Sequence, residues 1–387
     1  MALPRAIAVV AAAVIVTTLA ALPATAGARV LRVGPGQRFT RPCQAIARAR
    51  AGDTIQIDAR GNHSYRGDVC AWSTNRLTLA GVHGRAHIDA AGANSEGKAI
   101  WVIAGDDTTI ENVELSGARV PDQNGAGIRL QGAGLTVEHC VFDHNQEGIL
   151  AGDNPASNIV IDSSVFADNG AGDGFSHNLY INHVRSFTLR DSYSTAAHVG
   201  HLVKSRAARN YILYDRLTGE RGTDSYELDL PNGGLSYVIG TVLQQGPGTQ
   251  NPNMLAYGEE GSLNPDSHLY AVNDTFVNDL GRGAAMLIGS EVRAPVLAQN
   301  DISAGSPVFV AQSGARLRHD CVTADPRFIG ATRYDYRLRP SSPCRHVGRR
   351  PGSAQGVSLV PRFQYTGGGD QVRRTDGGVI AGAFGTR

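Results

Sequence analysis

Residues 174–194 read GFSHNLYINHVRSFTLRDSYS, residues 200–220 GHLVKSRAARNYILYDRLTGE, residues 225–245 SYELDLPNGGLSYVIGTVLQQ and residues 253–260 NMLAYGEE. Each piece shares one plan: a short apolar strand with polar residues at alternate positions, a few turn residues, then a second short strand. Alternation of this kind marks strands, because successive side chains point to opposite faces of a sheet. The pattern continues outward. Strand positions of one type begin at Ile110, Val137, Ile161, Leu189, Leu213, Ile239, Ala271, Leu297 and Leu317, at spacings of 27, 24, 28, 24, 26, 32, 26 and 20 residues. A second strand type falls between them, as in GIRL at 127, GILA at 148 and AMLI at 285. A propeller blade needs roughly 40 residues and four strands. A period near 25 with irregular turns predicts an all-β solenoid instead, a parallel β-helix whose turns stack about 4.8 Å apart so that aligned residues form columns.

The ends fit a solenoid. Residues 29–50 give a strand (RVLRVG) and a short helical pattern, CQAIARARA, before the strand GDTIQI. A short amphipathic helix there covers the open edge of the first turn. Asn112, His139, Asp191 and Asp215 follow first-type strands and are expected to form hydrogen-bonded corner ladders rather than a site. After Asp325 the pattern lapses. The expected organisation is a leader over 1–26, a β-helix with its N-terminal cap over 27–350, and a tail over 351–387 that packs on or caps the helix.

Lys+Arg 36 against Asp+Glu 35 in 387 residues leaves no global field. Nucleic acid is therefore not an expected partner, and a polyanion would need a local basic patch. Arg5, an apolar run over 6–22 and Ala24-Thr25-Ala26 form a secretory leader. The expected product is secreted or periplasmic, off the membrane once the leader is cleaved, and monomeric. Export permits disulfides. Cys43 with Cys70 and Cys321 with Cys344 would staple the two ends, with Cys140 a buried free thiol, although spacing alone does not fix connectivity.

The array resembles the right-handed parallel β-helix proteins of the pectate-lyase-like superfamily. The opening strand, helix and GDTIQI (52–57), and the closing DPRFIG (325–330) and DYRLRPSSPC (335–344), look like the start and finish of such chains. The resemblance covers roughly residues 30 to 350. It implies a secreted protein acting on an acidic, uronate-containing polysaccharide, most naturally as a lyase. A glycoside hydrolase or a non-catalytic glycan-binding solenoid are the alternatives, because fold alone does not give function.

Alternation indicates which side chains face outward. Leu179 and Ile181 point in, leaving Tyr180 and Asn182 outside; His201 and Val203 point in, leaving Lys204 and Arg206; Tyr226, Leu228 and Leu230 point in, leaving Glu227 and Asp229; Met254 and Ala256 point in, leaving Tyr257 and Glu259. β-Elimination on a uronate needs the carboxylate neutralised, a base for the C5 proton and an acid for the leaving O4. Arg206 suits the carboxylate, and a partly desolvated Lys204 suits the base. Tyr180 or His183 suits the acid, as do His177 and Tyr257; with Asn178 and Asn182, the latter two would also bind substrate. Glu227, Asp229 and Glu259 are the candidates to hold calcium. Glu227 and Asp229, about 6.5–7 Å apart along one strand face, would also suit hydrolysis. A solvated surface pair of Lys204 with Glu227 is the plainer reading of the same residues.

HLVKSRAARN (201–210) is also similar to a strand of β-helix alginate and chondroitin lyases. Aligned on Asn210, Arg206 falls where that family has its catalytic lysine, and His201 near its metal-binding glutamate. The family's arginine on the next turn is missing from Leu230-Pro231-Asn232-Gly233. The fold and substrate class carry over; the catalytic assignments do not.

Overall fold

The computed structural model describes residues 27–62, 64–367 and 372–385; the leader read over 1–26 lies outside them. Three parallel sheets of twelve, ten and ten strands span Val30 to Val322, and hydrogen-bonded neighbours within a sheet are three strands apart in sequence through most of the array. The chain thus visits each sheet once per turn, which is the coil of a parallel β-helix. Along the first sheet the step between partners runs from 19 residues (Leu297 to Arg316) to 33 (Ser236 to Leu269).

The core column of that sheet is Ile110, Val137, Ile161, Leu189, Ile212, Val238, Ala271 and Ala298, and its register continues to Leu317, which is exposed on the last turn. Three positions differ by one residue from the alternation, which chose Leu213, Ile239 and Leu297. The reason is burial on both sides. Ile239 and Val272 pack outside the sheet with Tyr214, Tyr237, Leu359 and Phe363, so the tail makes the outer face apolar and the alternation loses its phase. Inside, Phe142 and Phe166 stack with centroids 4.9 Å apart, as aligned positions of neighbouring turns should.

Beside this column lie the corner residues Asn112, His139, Ser163, Asp191, Tyr214, Gly240, Asn273 and Asn300, all with φ between 49° and 67°. Asn and Asp tolerate this left-handed conformation best, which explains the polar bias. Asp215, grouped with these in the sequence, belongs one step further on. It joins an interior ladder in which each side chain accepts the backbone N–H of the preceding turn. The N–H of Cys140 goes to Ser164, then Ser164 to Ser192, Ser192 to Asp215, Asp215 to Thr241, Thr241 to Asp274, Asp274 to Asp301 and Asp301 to Asp320.

A helix over Pro42–Ile46 covers the first turn, stapled by Cys43–Cys70. Cys321–Cys344 ties down the far end. Cys140 is free and buried, its thiol pushed up to about 12 by burial. Among the described residues no helix is long and apolar enough to cross a membrane.

Candidate active site on the third sheet

Four short strands of the third sheet, Leu179–Ile181, Lys204–Ser205, Leu228–Leu230 and Leu255–Tyr257, lie side by side. Their register places Tyr180, Lys204, Asp229 and Ala256 in one outward column. Leu179 and Ile181 are fully buried beneath, so the apolar residues that bury the strands also fix the polar ones outside.

Lys204 Nζ lies 3.1 Å from Asp229 Oδ2 and 3.2 Å from Glu260 Oε1, and 5.8 Å from the centre of the Tyr180 ring. Arg206 spreads its guanidinium over three acceptors. Nε donates to the Tyr180 hydroxyl (3.0 Å), Nη1 to Asn232 Oδ1 (2.6 Å), and Nη2 reaches Glu260 Oε2 at 2.7 Å. Glu260 thus lays one carboxylate across both cations. Its backbone N–H is tied to Pro231, yet its side chain is 49% exposed, while those of Lys204 and Arg206 are only 10% and 14% exposed. Burial opposes its ionisation, but Arg206 and Lys204 outweigh it and hold the Glu260 carboxyl below its ordinary range.

Two histidines back this cluster. His177 Nδ1 accepts the N–H of His201 (3.0 Å), and His201 Nδ1 accepts that of Tyr226 (3.3 Å). In the neutral ring an accepting Nδ1 places the proton on Nε2, so His201 aims Nε2–H at Asp229 Oδ2, 3.4 Å away. The rings stack with centroids 4.5 Å apart, and His177 meets Tyr180 edge-on at 5.5 Å. Burial, then Lys204 and Arg206, lower His201 to about 3, and burial takes His177 well below its usual value. Both are neutral at pH 7. Asp229 is raised to about 6 by burial, against the pull of Lys204. Behind His177, the buried Glu147 accepts its N–H (3.0 Å), and burial raises this carboxyl well above its ordinary value. The neighbouring Arg129 keeps a buried Nε with no hydrogen-bond partner among the described residues.

Tyr180, Lys204, Arg206, His177 and Asp229 therefore come together, and several other expected positions do not. His183 is engaged by Asp153 (Nδ1 to Oδ1, 2.7 Å), and Asn182 Oδ1 accepts the His183 N–H. Asn178 is fully buried, its carboxamide bridging Asn169 to Phe166, Ser194 and Thr195 inside the coil. Tyr257 points inward, with its hydroxyl donating to the Gly234 carbonyl at 2.7 Å. The Met-Leu-Ala-Tyr run is apolar at every position, and a one-residue slip there exchanges the faces. Glu227 is wholly buried, with Asp224 as its neighbour. It therefore cannot pair with Asp229 across a substrate, and Glu259 is simply exposed. Glu227, Asp229 and Glu259 do not converge on a calcium ion. Among the described residues no group of three His, Cys, Asp or Glu side chains is placed to hold a metal. His201, read as inward, belongs to the outer cluster. Glu260 and Asn232 lie in loops, where alternation carries no information.

The comparisons agree with this architecture. Residues 70–213 match the family model described as "Right handed beta helix region". Among solved structures the chain is similar to the pectate lyase Pel9A, at a TM-score of 0.59 and 13% sequence identity over 94% of this chain and 97% of that one. No curated protein matches the chain. The protein is a right-handed parallel β-helix. At that identity the likeness to Pel9A is one of fold.

Proposed function

We propose that the protein is a carbohydrate-active enzyme that cleaves an acidic polysaccharide by β-elimination. One observation carries the reading: the Glu260 carboxylate lies across Lys204 and Arg206, at 3.2 and 2.7 Å. A site that seats one carboxylate this way is a receptor for another, and a substrate uronate displaces the half-exposed side chain. The exchange keeps the balance of two cations against two carboxylates. The resemblance to pectate-lyase-like chains supports the substrate class, and the two disulfides support export.

In this reading Arg206 clamps the C6 carboxylate, which acidifies the C5 proton. Asp229, 3.1 Å from Lys204 Nζ, holds that amine as the base for the C5 proton. The electron pair forms the C4–C5 double bond as the C4–O4 bond breaks. Tyr180 already accepts from Arg206 Nε, which leaves its own O–H free to protonate O4. Neutral His201 keeps Asp229 in place.

The test is incubation with alginate, pectate and glycosaminoglycans, following ultraviolet absorbance and reducing ends together. Both should rise, and Lys204→Ala and Arg206→Ala should each lower the rate at least about a hundredfold. Reducing ends without absorbance would mean hydrolysis and overturn the proposal.

A further inference from the structure

A second site lies on a different face. Between the outer side of the second sheet and the C-terminal segment is a cavity of about 520 Å³, lined among others by Tyr193, Arg216, Arg333, Tyr334, Tyr336 and Tyr365. That volume falls within the roughly 300–1,000 Å³ of small-ligand pockets. None of these residues belongs to the cluster around Lys204, which stands on the third sheet.

The cavity is built rather than left over. Arg216 lies between two aromatic faces, its Cζ 5.4 Å from the Tyr193 ring centre and 5.8 Å from that of Tyr334. Glu220 fixes it there, accepting from Arg216 Nη2 (2.9 Å) and from the Tyr193 hydroxyl (2.8 Å). Tyr365 adds a third ring, 6.3 Å from Tyr193. Tyr334 reaches the cavity from a left-handed backbone, φ 58° and ψ 26°, which a bulky side chain rarely adopts. Tyr336 is 2% exposed, and its hydroxyl has no hydrogen-bond partner among the described residues. The charged lining is three arginines (216, 333 and 337) against Glu220 and Asp335, a surplus of one cation.

With Arg216 paired to Glu220 and Arg337 to Asp335, Arg333 is the surplus cation of the lining, and beside the rings of Tyr334 and Tyr365 it suits a ring with an apolar C–H face and a carboxylate. We infer that this cavity binds one or two uronate units of the polysaccharide, as an anchoring site apart from the catalytic groove. The ligand class rests on the function proposed above; the site does not. An anchor on a second face holds the polymer at high effective concentration near the groove.

The experiment uses the full chain carrying Arg206→Ala, which cripples the groove, titrated by calorimetry with oligogalacturonate, oligomannuronate and cellohexaose. One saturable site for an acidic oligosaccharide is expected, with no binding of the neutral one. Adding Tyr334→Asn removes the ring and suits the left-handed backbone, so the fold is kept, and affinity should fall at least about tenfold, as stacking contacts imply. Tyr365→Ala is the second variant and should act in the same direction. Absence of acidic-oligosaccharide binding in Arg206→Ala, or binding unmoved by both tyrosine variants, overturns the inference even if the wild type proves a lyase. Binding lost with the tyrosines in a protein without lyase activity keeps this site and overturns the groove reading instead.

Discussion

Lys204 and Asp229 stand directly opposite each other on adjacent turns of the third sheet, and their charged atoms meet at 3.1 Å with almost no solvent access. A buried pair is held together mainly because breaking it strands the survivor. Asp229→Asn leaves Lys204 with Glu260 alone and should cost about 1–3 kcal/mol of stability, less than the 3–5 of a fully stranded charge. Denaturant unfolding measures it. A variant as stable as the wild type would show that the pair contributes nothing net.

In the proposed elimination the same carboxyl should set the acid limb of the rate. Asp229 must be ionised to hold Lys204 in place, and it is raised to about 6. The elimination rate should therefore fall as pH drops through about 6. Asp229→Glu should displace that limb, and a limb that stays in place assigns it to another group.

In the proposed reading Glu260 is an occupant rather than a catalyst. Glu260→Gln removes the competing charge, so KM for an acidic polymer should fall several-fold with kcat little changed. Loss of kcat instead would make Glu260 part of the chemistry.

Asp224 and Glu227 form a buried acid pair inside the coil. Burial raises Asp224 from 3.8 to about 7 and takes Glu227 well above its usual value. The folded state therefore holds protons that the unfolded chain releases. The contribution of Asp224 is greatest below about pH 4 and is lost as pH rises toward 7. Asp224→Asn should gain stability over the wild type on going from pH 5 to 8, by on the order of a few kcal/mol. A difference independent of pH would show that the pair does not titrate in this window.

The disulfide Cys321–Cys344 closes a loop with a sequence separation of 23. Replacing both cysteines by serine should lower unfolding free energy by about 3 kcal/mol on loop entropy. A change below about 1 kcal/mol would mean the far end is held by packing alone.

The coil was legible because burial imposes period-two patterning on every turn, and Leu179, Tyr180 and Ile181 show it clearly. Legibility ended where both faces are apolar, as at Ile212–Leu213 beneath the tail and Leu255–Tyr257. It ended too at strand entries: Asn178 and Glu227 sit at corners, where the backbone turns and alternation has no meaning. Glu260 and Asn232 are loop residues brought to Arg206 by stacking, a relationship with no sequence period. The tyrosines of the second cavity meet only because the chain after the last turn, with Tyr334, Tyr336 and Tyr365, folds back across distant turns.

The interior ladder from Cys140 to Asp320 has a direction. Each side chain receives an N–H from the turn before it, and the residue that follows it on the next turn answers on the backbone: the N–H of Val165 goes to the Cys140 carbonyl, that of Tyr193 to Ser164, that of Arg216 to Ser192 and that of Val242 to Asp215. Trimming the coil from its C-terminal end therefore strands the N–H of a ladder residue, and trimming from its N-terminal end strands the N–H of the residue beside the next one, so either cut uncovers a buried donor. A turn is thus finished by both of its neighbours, and shortened forms should lose stability whichever end is cut.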